Sequence, residues 1–239
     1  MYKEISELVE ALSVKRSEAV LLLGDYMLDE YLYGDTERIS PEAPVPVLRE
    51  MERRQRLGGA GSVAANLASL GATTFCGGIV GRDGPGETIF RMLSELGADL
   101  SGIIRADGVR STVKLRLIGL AQHRIPQQLL RVDMEDCTPC PGEASEALKD
   151  RLGPLLDRVR LVAVEDYNKG LFCDESVLKW LIGESKRRGI PVLVDPTRLA
   201  DYERYRGVDV ITPNRMEATV ASGITIRTVE DAIEAGQAL

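Results

Sequence analysis

Short apolar runs recur along the chain with helical patterns between them, at Ala19 to Leu23, Thr73 to Val80, Leu161 to Glu165, Pro191 to Val194 and Val208 to Thr212. An apolar residue at nearly every position suits a strand buried on both faces. Strands that alternate with helices predict a mainly parallel sheet covered by helices on both sides. The helical pattern is clear over Asp174 to Arg188, where Val177, Leu178, Leu181 and Ile182 recur at helical spacing and Gly189 supplies a stop. Two stretches, Pro44 to Arg49 and Thr112 to Glu135, are alternating or β-branched without a helix and predict a small second sheet. The expected architecture is therefore α/β, one folding unit over residues 1–239, with the second sheet inserted at about 35–50 and 108–136.

Charge and cysteine usage narrow the class of function. The chain has 30 basic and 37 acidic residues, a net charge of -7, which disfavours a nucleic-acid partner because a phosphate backbone needs a basic surface. No apolar run approaches the length of a membrane span, and the first residues are too charged for a signal peptide, so the expected compartment is the cytoplasm and no membrane partner is expected. Cys76, Cys137, Cys140 and Cys173 are too few and too scattered for a disulfide framework. Cys137 and Cys140 form a CTPC pair, but a zinc site needs two more ligands and His123 is the single histidine, so the pair reads as part of a surface loop. That lone histidine and the lack of a GxSxG elbow also argue against triad-type nucleophilic catalysis.

Chemistry-bearing residues gather where the apolar runs end. Asp25 and Asp29 follow the first run, and the carboxyl ends of strands in an open α/β sheet are where ligands bind. Each carboxylate can accept two sugar hydroxyls, or can serve only to form a turn. Gly58, Gly59 and Gly61 stand where a loop is expected to become the helix Ser62 to Leu70. Exposed amides at a helix start attract anions and hydroxyl oxygens, although a glycine pair there can also mark a simple turn. In STVKLRLIG, Thr112, Lys114 and Arg116 share one strand face, fit either to hold a phosphate dianion or to form a solvated outer surface. Asp166 and Lys169 follow the third run and Asp195 ends the fourth, at the same edge. Asn214 and Glu217, three apart at a helix start, can cap that helix or face one ligand together.

Taken in order, GDYMLDEYLYGDTERISPEAPVPVLRE, LGGAGSVAANLASLGA, VGRDGPGE, EDYNKG, VDP and TPNRMEA make the chain resemble the PfkB or ribokinase-like sugar kinases over nearly its whole length. RISPEAPVPV and QQLLRVDME are most similar to the branch that phosphorylates D-glycero-D-manno-heptose 7-phosphate at the anomeric carbon, on the route to ADP-heptose. The resemblance implies a ribokinase-like fold whose small β-sheet is a lid over the sugar and often a dimer surface, and hence a homodimer through the lid. It also implies ATP and magnesium as cofactors and a sugar phosphate as substrate. Asp25, Asp29, Gly58, Gly59 and Ser62 would hold sugar hydroxyls, with Ser62 standing where the family usually has Asn. Lys114, Arg116 and Arg131 would hold the 7-phosphate, with Gln128 on the same lid strand as Arg131. Lys169 and Asp195 would face the nucleotide phosphates, and Asn214 and Glu217 would organise magnesium and its waters. Thr197 and Arg198 follow Asp195 and Pro196 where the family commonly has DPK. The family's GAGD loop, which carries the catalytic base, does not occur, so the base is expected beyond Leu239 and these residues alone are expected not to turn over. Another PfkB-type sugar or nucleoside kinase, or a non-catalytic sugar-phosphate-binding module, fits the same strings.

Overall fold

A computed structural model describes residues 18–120, 125–136 and 138–239; His123, Cys137 and the residues before 18 lie outside them. Strand β1 (Ala19–Gly24) is the centre of the main sheet. Its side chains divide between two cores, with Leu21 and Leu23 on one face and Leu22 on the other, all three fully buried. Burial on both faces is why the run is apolar without alternation. Strand β1 pairs with β4 (Thr73–Gly81) on one side and with β8 (Leu161–Glu165) on the other, and β9 (Val192–Asp195) and β10 (Val210–Ile211) follow beyond β8. All pairings are parallel, in the order β10-β9-β8-β1-β4-β5, and β5 (Asp99–Ala106) is an edge strand that the apolar runs do not announce.

Helices α1 (Ala60–Ser69) and α2 (Gly84–Glu95) cover the Leu22 face. Helices α3 (Gly142–Leu156) and α4 (Ser176–Arg188) cover the other, with Leu148, Leu152, Leu178 and Leu181 fully buried against it. Gly189 closes α4 in a left-handed conformation at φ 67°, the stop expected from its sequence. Helices α5 (Arg215–Ser222) and α6 (Val229–Ala238) pack on each other beyond β10. Among the described residues no helix is long and apolar enough to cross a membrane.

The second sheet is larger than the sequence suggests and begins earlier. Its order is β3-β2-β6-β7, from β2 (Tyr26–Ile39), β3 (Pro46–Gly59), β6 (Thr112–Leu120) and β7 (Gln127–Met134). Only Asp25 separates β1 from β2, so Asp29 lies within a lid strand, and the turn-forming alternative does not apply to it. The sequence hides β3 because Arg49 to Arg56 is exposed throughout and shows no buried alternation. Gly58 and Gly59 likewise end a strand rather than a loop, and the chain passes directly into α1. Gly59 makes that junction with φ 55°, where a β-carbon would also collide with the Asp25 carbonyl oxygen.

Candidate functional site

The chain leaves β1 for the lid and β4 on one side and returns to β8 on the other, so the crevice beyond the β1 and β8 ends is the switch point of the sheet. Asp25, Glu165 and Asp195 stand at the carboxyl ends of neighbouring strands there. The lid hangs above them through β2 and β6. Lys114 on β6 reaches the turn after β8, its ammonium 5.5 Å from the centre of the Tyr167 ring.

Asp25, expected to hold sugar hydroxyls, is first of all tied into the fold. It is 5% exposed, and its Oδ2 accepts the backbone N–H groups of Tyr167 at 3.0 Å and Lys169 at 3.1 Å. Its own N–H donates to the Glu165 carbonyl and its carbonyl accepts from Ala60. It is therefore a strut joining lid, α1 and the 166–170 turn, with one carboxylate oxygen already engaged. Burial pushes its carboxyl up to about 6, against the amides that favour its charge. Asp166 is a second strut. It accepts from the Asn168 amide, the Tyr205 hydroxyl at 2.7 Å and Arg204 at 3.2 Å. These contacts hold Asn168 in the left-handed region at φ 55°.

The remaining expected residues divide by what already engages them. Asp29 faces the crevice, but its Oδ1 accepts from Arg116 at 2.7 Å, each side chain 20% exposed. Its carboxylate also occupies the space a Gly58 side chain would fill, so Gly58 is fixed by close approach. Arg131 lies on the lid face of Arg116 but holds Asp133 at 2.8 and 2.9 Å. Gln128 reaches that same face only through a β-bulge, since residues three apart in a regular strand point to opposite sides. Lys169 pairs with Glu135 at 2.8 Å, tying the turn to the end of β7. Ser62 is exposed in the first turn of α1, beside the glycines as expected.

On the nucleotide side, Asn214 and Glu217 form a reciprocal capping box on α5. Asn214 Oδ1 accepts from the Met216 and Glu217 amides, and Glu217 Oε2 accepts from the Asn214 amide at 2.8 Å. The capping alternative is thus the arrangement present, and Asn214→Ala is expected to lower stability by about 1 kcal/mol in a urea titration. Asp195 is exposed and accepts from the Thr212 hydroxyl at 3.1 Å.

Two residues of this edge were not singled out in the sequence. Glu165 is 9% exposed, and burial first, then the neighbouring Asp195, pushes its carboxyl up to about 7. Tyr167 is 37% exposed, and partial burial of its ring followed by the carboxylates of Glu165, Asp195, Asp29 and Glu217 raises its hydroxyl above the usual range. Both lie inside EDYNKG, and their end-of-strand position was the available signal. Among the described residues no group of three His, Cys, Asp or Glu side chains converges to hold a bare metal ion.

Comparison with known proteins agrees with this geometry. Residues 17–127 match the model of the pfkB family carbohydrate kinases. The chain is 40% identical over 222 residues to the bifunctional protein HldE of Trichlorobacter lovleyi, covering 92% of this chain and 44% of that protein. It is 39% identical over 224 residues to HldE of Helicobacter hepaticus, covering 94% and 45%. It therefore spans less than half the length of these curated relatives. The Arabidopsis thaliana ribokinase structure solved with ribose and ATP superposes with a TM-score of 0.64 at 16% identity, over 92% of this chain and 68% of that one. Escherichia coli phosphofructokinase-2 in its tetrameric inhibited form gives 0.65 at 16% identity, over 92% and 69%. Parallel sheet, β-lid and the motifs along the crevice all follow one pattern, and the chain belongs to the pfkB family of carbohydrate kinases.

Proposed function

We propose that this chain forms the acceptor side of a kinase that transfers the γ-phosphoryl group of ATP to the anomeric hydroxyl of D-glycero-D-manno-heptose 7-phosphate. The observation that carries the reading is the lid face over the crevice, where Asp29 lies between cationic residues and Lys114 leans on the turn after β8. A carboxylate that accepts hydroxyls beside cations that attract phosphate suits a phosphorylated polyol. The heptose branch is favoured by RISPEAPVPV and QQLLRVDME and by the 40% identity to HldE.

Catalysis of this kind rests on positioning and on neutralising charge. Asp29 and the glycine-bounded start of α1 orient the sugar. Asp25 and Asp166 fix the 166–170 turn that floors the crevice. Glu165, Asp195 and Glu217 make the donor edge acidic, a poor surface for bare nucleotide phosphates. Magnesium keeps several waters and rides on substrate phosphates, and Asp195 and Glu217 fit a hydrated ion of that kind. Bound there, it would screen the donor phosphates from these carboxylates.

A thermal-shift titration with heptose 7-phosphate, fructose 6-phosphate, adenosine and magnesium ATP tests the substrate. Heptose 7-phosphate is expected to raise the melting temperature most. A larger rise with fructose 6-phosphate, or none with any sugar phosphate, overturns the assignment.

We also propose that two copies associate through the lid. Strand β7 is a sheet edge, and Leu130 and Val132 on its distal face are 56% and 38% exposed. Leu130→Glu is expected to shift the chain from dimer to monomer in sedimentation equilibrium. A parent chain that sediments as a monomer at high concentration refutes the lid dimer.

A further inference from the structure

The lid face over the crevice carries more cations than carboxylates, and the pairing leaves two particular side chains uncommitted. On this face Arg54 holds Glu52 at 2.6 and 2.9 Å, Arg116 holds Asp29, and Arg131 holds Asp133. Among the described residues, Arg56 and Lys114 have no carboxylate partner within ion-pair distance. Strand register places them in one row, each directly opposite Asp29, on β3 and β6. Two strand spacings separate their backbones by roughly 10 Å, within the combined reach of an arginine and a lysine around one anion.

Aromatic rings hold both cations. The Arg56 guanidinium lies 5.8 Å from the centre of the Tyr31 ring, and the Lys114 ammonium 5.5 Å from that of Tyr167. A ring face attracts a cation without cancelling its charge, so it restrains a long side chain and leaves it available to an anion. A carboxylate partner does cancel the charge, which is the state of Arg116 and Arg131. We infer that Arg56 and Lys114, rather than Arg116 and Arg131, form the lid's binding pair for a phosphate monoester dianion. Their two uncompensated positive charges match its charge. The Tyr31 and Tyr167 rings act as positioning residues. This deepens the sugar-phosphate reading above by naming the cations that select a phosphorylated acceptor.

Calorimetric titration of the 239-residue chain with heptose 7-phosphate, unphosphorylated heptose and inorganic phosphate tests the assignment. Arg56→Gln and Lys114→Gln are each expected to weaken heptose 7-phosphate binding about tenfold or more, the scale of a hydrogen bond to a charged group. Both should leave unphosphorylated heptose unaffected, whereas Arg54→Gln should change neither ligand. Melting temperatures within a few degrees of the parent separate lost binding from lost folding. The inference is overturned if Arg131→Gln weakens the phosphorylated ligand while Arg56→Gln does not, or if the parent binds neither inorganic phosphate nor a sugar phosphate. Inorganic phosphate bound through Arg56 and Lys114, with no response to heptose 7-phosphate, sustains the anion pair and overturns only the substrate proposed above.

Discussion

Asp25→Ala is expected to be less stable than Asp25→Asn by about 2 kcal/mol at pH 8, because only alanine removes the acceptor of two part-buried amides. Each orphaned N–H costs about 1 to 3 kcal/mol, and Tyr167 and Lys169 both donate to the same oxygen. Comparing the two variants cancels the cost of burying the charge, which both abolish. Their denaturant midpoints at matched slope give the difference directly. Sugar binding then separates strut from ligand. If Asp25 acts only through the turn, folded Asp25→Asn keeps its affinity for heptose 7-phosphate. A folded Asp25→Asn that no longer binds the sugar restores the direct hydroxyl contact expected from its place after the first strand.

Glu165→Gln is expected to stabilise the chain by about 3 kcal/mol at pH 8 and by little at pH 4. The carboxyl titrates near 4.5 unperturbed and at about 7 when folded, so between those values the folded chain binds more protons than the unfolded one. Its contribution is fully present below the unfolded value and is lost as pH rises through the folded one. At alkaline pH a charged Glu165 is buried beside Asp195. Glutamine removes the charge at nearly the same volume, and its amide can donate toward Asp195. Urea titrations at the two pH values measure the effect. Equal stability changes at both would mean that Glu165 keeps an ordinary carboxyl in the folded chain.

These two carboxyls illustrate where sequence reading stops. The runs that became β1, β4, β8, β9 and β10 were legible because a strand buried on both faces must be apolar at nearly every position. The resemblance to sugar kinases identified the lid and the crevice motifs from strings that survive in order along the chain. Strand β3 was largely hidden, since an exposed edge strand of the lid needs only backbone hydrogen bonds to its one neighbour and leaves its side chains free to be charged. The glycines before α1 announced a site but not their reason, which is close approach to Asp29 for Gly58 and a left-handed turn against Asp25 for Gly59.

The sequence by itself determined the α/β class, the central strands and the edge where carboxylates and glycines collect. Tertiary structure alone decided which of those residues are available. Arg116 meets Asp29 across 87 positions and Tyr167 meets Asp25 across 142, so one pair compensates the charge of a candidate ligand and the other ties a candidate ligand to the turn after β8. Apolar burial is written locally, because it depends on what each residue is. Charge compensation depends on which residue the fold brings within about 3 Å, and no local pattern carries that information.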